Sequence, residues 1–298
     1  MTFKKLWKLL TTTFSEWQFN EVSLLASSLA YYTVFSLAPL MVIIISILGA
    51  IYGEATAKQQ IVEQMTGIIG NRGAQLIATA ITNMRQDTRG DWLKFIFNFG
   101  FFAFGASGVF AQIQYALDKI WGVKPEPKRQ VLNFVRKRVL SFAMVIVIAF
   151  LLFVSYLFNS IFIIIVNSLK SLVPALGYLW QFTSFLLSFA ILTLLFAAIY
   201  TILPDAKVAW RSTIVGAMIT AILFMVGQLL FGLFLNQIDI GSAYGVAGSF
   251  LIIITWIYYA AHILFLGAEF TKVYAKINGS PIVPEDYAIR VKREKDKN

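Results

Sequence analysis

The segment from Gly241 to Lys272, GSAYGVAGSFLIIITWIYYAAHILFLGAEFTK, limits the possible folds more than any other part of the chain. No formal charge lies between Asp239 and Glu269. Such a run is long enough to cross a hydrocarbon core of about 30 Å, so it predicts a membrane span. It carries the chain's one histidine, His262, and a carboxylate, Glu269, near its end. Thr255, Tyr259, His262, Leu266 and Glu269 follow a 4-3-4-3 spacing, which places them on one helix face. A polar stripe inside lipid is costly unless it faces protein or water. The spacing therefore predicts that other helices wrap this face.

The rest of the chain agrees with that class. It is 58% hydrophobic and 13% charged, against about 25% charged in ordinary soluble domains. The absence of cysteine excludes disulfides, thiolate nucleophiles and thiolate-ligated metals. A single histidine excludes His-rich metal clusters, and no metal or cofactor is expected. The net charge of +10 follows from topology without invoking nucleic acid. When the segments between apolar runs are assigned to alternate sides, 19 of the 25 Lys and Arg fall on one side and 6 on the other. By the positive-inside rule this predicts an all-α polytopic protein with six transmembrane helices and both termini cytoplasmic.

Along the chain, residues 1–20 predict an amphipathic helix lying in the interface. Phe3, Leu6, Trp7, Leu10, Phe14 and Trp17 recur at helical spacing beside Lys4, Lys5 and Lys8. A six-helix membrane domain is expected over 21–277, with spans at about 23–52, 92–120, 139–166, 179–203, 212–235 and 249–275. The first span is polar in its first half and contains Pro39, which predicts a kink. Ser28, Tyr32 and Ser36, with Pro39 as a hinge, either line a central site or belong to an ordinary kinked helix packed through small residues. Gly49 and Gly53 form a weak helix-contact motif. Residues 54–91 predict an external hairpin of two short helices turning at Gly70-Asn71-Arg72-Gly73.

The second span carries Gly105, Gly108, Gln112, Tyr115 and Lys119 on one face, with Asp118 and Lys119 expected as an interfacial pair. The stretch Gly122–Arg138 is basic and predicts an anchor for anionic lipid headgroups, with Lys128 and Arg129 among its cations. Pro174 marks a short external turn. Trp92, Trp121, Trp180 and Trp210 fall near span ends, as an aromatic belt requires, whereas Trp256 lies in mid-membrane. The loop Asn236–Ser249, with Asp239 and three glycines, predicts a close turn. Residues 278–298 form a polar cytoplasmic tail, expected to be disordered.

Four stretches together carry a family resemblance: LAYYTVFSLAPL (29–40), GVFAQIQYALDKIWGV (108–123), YTILPDAKVAWR (200–211), and YGVAGS with WIYYAAHILFLGAEF (244–270). The chain resembles the YihY/BrkB family of bacterial inner-membrane proteins to about residue 277. The resemblance implies six transmembrane helices in the cytoplasmic membrane. Its labels differ: virulence or serum-resistance factor, ribonuclease BN, and permease.

Residue chemistry separates these labels. Phosphodiester cleavage needs clustered acid–base groups or a metal cage, and the sequence offers neither, so no enzymatic activity is expected. A transporter for an unidentified small solute or ion would use intramembrane polar groups. The candidate lining is Ser28, Tyr32, Ser36, Gln112, Tyr259, His262 and Glu269. Glu269 either holds a proton with His262 or pairs at the inner interface with Lys272 or an arginine of the basic loop. The alternative is a non-transporting envelope scaffold or lipid-handling protein. A transporter requires a hydrated cavity along Ser28, Tyr32, Gln112 and His262, whereas a scaffold requires a dry, glycine-packed centre.

Overall fold

A computed structural model describes residues 3–86, 92–126, 130–169, 176–237 and 240–291. Lys128, Arg129, Pro174, Asp239 and the tail beyond Val291 lie outside the described residues, as do the side chains of Trp92 and Trp180. Eight helices follow in order: α1 (Phe3–Phe19), α2 (Val22–Tyr52), α3 (Glu54–Gln86), α4 (Trp92–Trp121), α5 (Gln130–Leu169), α6 (Leu176–Ile202), α7 (Trp210–Gln237) and α8 (Ile240–Ile277). Four short strands accompany them: β1 (Val123–Pro125), β2 (Ala206–Lys207), β3 (Val283–Pro284) and β4 (Ala288–Arg290).

Among the described residues, four helical segments are long and apolar enough to cross a bilayer: Arg138–Phe158, Phe182–Ile202, Trp210–Phe234 and Phe250–Ile277. The two arms of α2, Val22–Leu37 and Pro39–Ile51, meet at 51° and make a fifth if the bent pair is one span. The bend falls at Pro39. A proline there has no N–H for the carbonyl four residues back, and its ring crowds that turn. Leu186, Leu194, Ile222, Val226 and Leu229 are exposed on the outside. In a bilayer that surface is solvated by acyl chains, whereas in water it would be a docking or aggregation surface.

α8 runs through the bundle, packed against α7, α2, α1, α3 and α4. Tyr200 of α6 is fully buried, and its hydroxyl donates to the Leu264 carbonyl at 2.7 Å and lies 3.0 Å from Thr220 Oγ1 of α7. One phenol thereby ties three helices together. Trp256 is also buried, its ring 4.9 Å from Phe231 and 5.6 Å from Phe224.

Several local expectations change. Gly53 has φ 95° and caps α2, its N–H bonded to the Gly49 carbonyl at 3.0 Å. The Gly49/Gly53 spacing thus ends a helix; an added Cβ at Gly53 would meet nothing within 4 Å. Helical hydrogen bonding continues through Gly70-Asn71-Arg72-Gly73 in α3, yet Lys58 Nζ lies 2.7 Å from Thr82 Oγ1. A straight helix would separate those residues by about 36 Å. The chain therefore bends back without leaving helical pairing, as paired glycines permit. The loop before the last span is shorter than expected, because α8 already begins at Ile240; membrane helices tolerate glycines in their interiors.

The larger correction concerns the tail. Residues 283–291 are laced into the bundle. β4 pairs antiparallel with β1 (Lys124 opposite Ile289), and β3 pairs with β2 (Lys207 opposite Val283). Val291 N–H donates to the Gly122 carbonyl at 2.8 Å, and Arg136 lies 3.5 Å over the Tyr287 ring. Polar composition predicts disorder, but the strap is held by backbone pairing, to which composition is blind, and by buried Ile282.

Lys207 Nζ meets Asp286 Oδ1 at 2.6 Å and Glu285 Oε2 at 3.5 Å. The hydrogen bond to Asp286 raises the Lys207 ammonium above its ordinary value, and the same bond holds the Asp286 carboxyl below its own. The Asp286 contribution is present above the ordinary carboxyl value of about 4 and is lost as pH falls through the depressed folded value. The Lys207 contribution is complete below about 10.4 and is lost as pH rises through the raised one. The strap's ion pair should therefore hold across neutral pH. Opposed Cα atoms in an antiparallel pair lie about 4.5–5.5 Å apart, within disulfide range. In this cysteine-free chain, Lys124→Cys with Ile289→Cys should close one disulfide rapidly under mild oxidant at pH 7, read as a gel shift. A pair that oxidises no faster than two cysteines on unpaired segments would show the strap to be detached.

Candidate functional site

The sequence-predicted polar residues fall on two separate seams. The first lies between α2 and α4. A Cβ added to Gly105 would sit 3.1 Å from Pro39 Cγ, and one added to Gly108 would sit 2.9 Å from Ser36 Oγ and 3.9 Å from Tyr32 Cδ1. The missing side chains of α4 are what let the bent part of α2 approach. Numbers rise along α4 as they fall along α2, so the helices are antiparallel. The same register carries Gln112 to the level of Tyr32, and Tyr115 to that of Ser28. At the end of the seam Lys119 Nζ pairs with Glu21 Oε2 at 3.4 Å. Ser36 and Pro39 are buried, Gln112 is half-buried, and Ser28 and Tyr32 are exposed.

The second seam belongs to α8. Tyr259 packs over Gly227 of α7, where an added Cβ would meet its ring at 2.6 Å. The His262 ring lies 5.7 Å from Trp17 of α1 and stands edge-on to Tyr258 at 4.5 Å. Glu269 is fully buried. Asn20 Nδ2 donates to its Oε1, and Lys272 Nζ reaches its Oε2 at 3.1 Å and Glu16 Oε2 at 2.6 Å. The pairing of Glu269 with Lys272 is therefore present, extended by Glu16 of α1 and by Asn20 in the turn after it. Tyr259 and His262 share a helix face but face different neighbours, and neither joins Ser28, Tyr32 or Gln112. A pocket of about 550 Å³ opens between the arms of α3, lined by Ala55, Lys58, Gln59, Val62, Glu63 and Ala78, and holds none of the candidates.

The role of α1 follows. Leu9, Thr13 and Asn20 are buried against the bundle, with Leu9 packed beside Phe270 and Val273. Leu6, Trp7, Leu10 and Phe14 are exposed on another face, beside exposed Lys4, Lys5 and Lys8. Trp17, expected on the exposed stripe, is turned toward His262 instead. The helix thus has a docking face and a membrane-directed face.

A cluster of turns at one end of the bundle carries no signal in helical spacing. Asp118 does not pair outward with Lys119; it is buried, and its Oδ1 accepts the Asp205 N–H at 2.8 Å. Gln114 Nε2 donates to Asp205 Oδ1 at 3.1 Å, and the Asp205 carbonyl accepts the Glu285 N–H at 3.1 Å. Trp121 Nε1 donates to the Ala268 carbonyl at 3.3 Å. The signal available was the PD step at 204–205, where a carboxylate follows a helix-ending proline.

These features define a multi-pass helical protein of the bacterial inner membrane, with a broken second helix and a docked amphipathic N-terminus. The family model described as Virulence factor BrkB matches residues 13–288, and the chain belongs to that family. It is 26% identical over 253 residues to a UPF0761 membrane protein of Psychromonas ingrahamii, covering 85% of this chain and 82% of the relative. It is 25% identical over 294 residues to a UPF0761 membrane protein of Photobacterium profundum, covering 94% and 87%. No solved structure matches the chain.

The Glu269 network yields a stability test. Removing one partner of a buried ion pair leaves an uncompensated charge, at a cost of about 3–5 kcal/mol. Lys272→Met should lower the thermal unfolding midpoint in detergent strongly, because the fully buried Glu269 loses its ion-pair partner. Adding Glu269→Gln to it should recover a large part of the loss. Additive losses in the double variant would contradict the pairing.

Proposed function

We propose that the protein is a six-span transporter of the inner membrane, with α2 as its moving part and an unidentified small solute or ion as cargo. α4 serves as the second of the six spans in chain order, and the cytoplasmic side is the one that holds both termini and the basic segment beginning α5. The observation that carries this reading is the 51° break of α2 at Pro39. The proline leaves the Phe35 carbonyl without its helical N–H donor. Unpaired backbone at membrane depth is tolerated where it is buried in protein or lines a cavity, and transporters place their sites at such breaks. Pro39 also sits against Gly105 with almost no clearance, so a change in bend must be felt by α4. The same tight contact favours the second reading, an envelope scaffold or lipid-handling protein with a dry centre.

Flux in proteoliposomes decides between them. Wild type should move at least one ion or osmolyte, followed with an internal pH-sensitive dye or by isotope. Pro39→Ala restores a backbone hydrogen bond worth about 1 kcal/mol, so its unfolding midpoint should hold or rise. Its flux should fall about tenfold if the bend is part of the gate, equivalent to about 1.4 kcal/mol on the barrier. Equal losses of folded protein and of flux would reject the gate. Absence of wild-type flux for every solute would reject transport of small solutes.

A further inference from the structure

The outer side of the α2–α4 seam has a character that a lipid-facing surface lacks. Tyr31, Tyr32 and Phe35 of α2 and Tyr115 of α4 are all exposed, three of them more than half. Tyr31 stands edge-on to Tyr32 at 5.9 Å and lies 4.9 Å from Phe35, so the rings form one connected patch. Tyr31 and Tyr32 sit nine and ten residues into α2, about 14–15 Å along its axis. That is about half the thickness of the hydrocarbon core, where acyl chains offer no hydrogen-bond partner to a phenol. Tyrosines that only anchor a span belong at its ends. Ser27 satisfies its own hydroxyl by donating to the Ser23 carbonyl at 2.8 Å; a tyrosine side chain is too long and rigid for that solution.

We infer that this seam binds a phospholipid, taken laterally from the bilayer with its headgroup drawn in along α2 and α4. The occupant follows from position and charge. The face lies on a membrane helix, so its neighbour is lipid. Its inner end carries an exposed cation and anion, Lys119 and Glu21, 3.4 Å apart. A phosphodiester meets Lys119 and an ethanolamine ammonium meets Glu21, a match that an inorganic ion or a neutral osmolyte does not make. Tyr115, one helical turn from Lys119, then gives the glycerol and ester oxygens a partner below the interface, Tyr31 and Tyr32 offer the next partners as the head moves inward, and Phe35 packs on the chains. Ser36 and Gly108 close the floor of the groove. This rests on the transporter reading in keeping α2 as the moving part, and replaces its small solute with a lipid: the bend at Pro39 lies one turn beyond the patch and would carry the head onward.

The test uses the full chain in vesicles of phosphatidylethanolamine and phosphatidylglycerol containing a trace of phosphatidylethanolamine with a nitrobenzoxadiazole dye on one acyl chain. Dithionite bleaches the outer leaflet, so transbilayer movement appears as loss of the protected inner fraction. Wild type should accelerate that loss over protein-free vesicles. Tyr32→Phe with Tyr115→Phe, which removes only hydroxyls, should slow it about tenfold, the equivalent of one hydrogen bond. Leu229→Ala, on the lipid face of α7, should leave it unchanged. Small-solute flux without accelerated lipid movement would overturn the inference and leave the transporter reading standing. Neither activity in wild type would overturn both. Lipid movement unaffected by the double Phe variant would overturn the seam as its path. A disulfide forming between two copies through Tyr115→Cys in the native membrane would show that a second chain covers the patch, and would also overturn it.

Discussion

A chain inside a bilayer has no water to satisfy its backbone, so each N–H and C=O must find a partner within the protein. The rest of this structure depends on that constraint. It accounts for the helical build, and it makes the single proline at position 39 a costly choice. A soluble helix can let water take up the orphaned carbonyl, but here the bend must be compensated by the helix beside it. Gly105 and Gly108 provide the space for that approach. Bend and glycines form one device: the glycines give α4 the clearance that the bent part of α2 occupies.

The same economy governs the polar side chains. Asn20, Glu16, Glu269 and Lys272 form one network, to which α1 contributes Glu16 and the turn after it Asn20. Tyr200 is satisfied by a helix carbonyl and a threonine. Asp118 and Asp205 are taken up in capping turns. The tyrosines on the outer face of α2 break this pattern, which is why they stand apart from the other polar groups. The N-terminal helix combines both situations: Leu9 and Asn20 hold it to the bundle, while Trp7 and Phe14 face outward.

Much of this was legible in residue order. Charge-free length identifies spans because hydrocarbon excludes charge regardless of tertiary context, and Pro39 announces its bend through its own covalent geometry. The position of Glu269 three residues before Lys272 signals a local pair, but not that Asn20, 249 residues away, donates to Glu269, nor that Glu16, 256 residues away, pairs with Lys272. The misplaced expectations share one cause. Helical periodicity reports which residues share a face, but not which neighbour that face meets. Tyr259 and His262 were grouped by spacing and separated by packing, one toward Gly227 and the other toward Trp17. The tail is a separate case: its two- and three-residue strands depend on backbone pairing with distant turns, which composition does not record.

The tail pairing also orders the assembly of the molecule in time. β1 and β4 are separated by roughly 160 residues, and every helix from α5 to α8 is made between them. The strap therefore cannot close until the last helix has entered the membrane and the chain beyond it has been synthesised. Until then the turn at Gly122–Pro125 and the carbonyl of Asp205 stand without their strap partners on the membrane surface. The strap thus acts as a seal of completion. A chain that stops early, or inserts its last helix the wrong way round, displays an open strand edge, the kind of unpaired backbone that proteases and aggregation partners recognise.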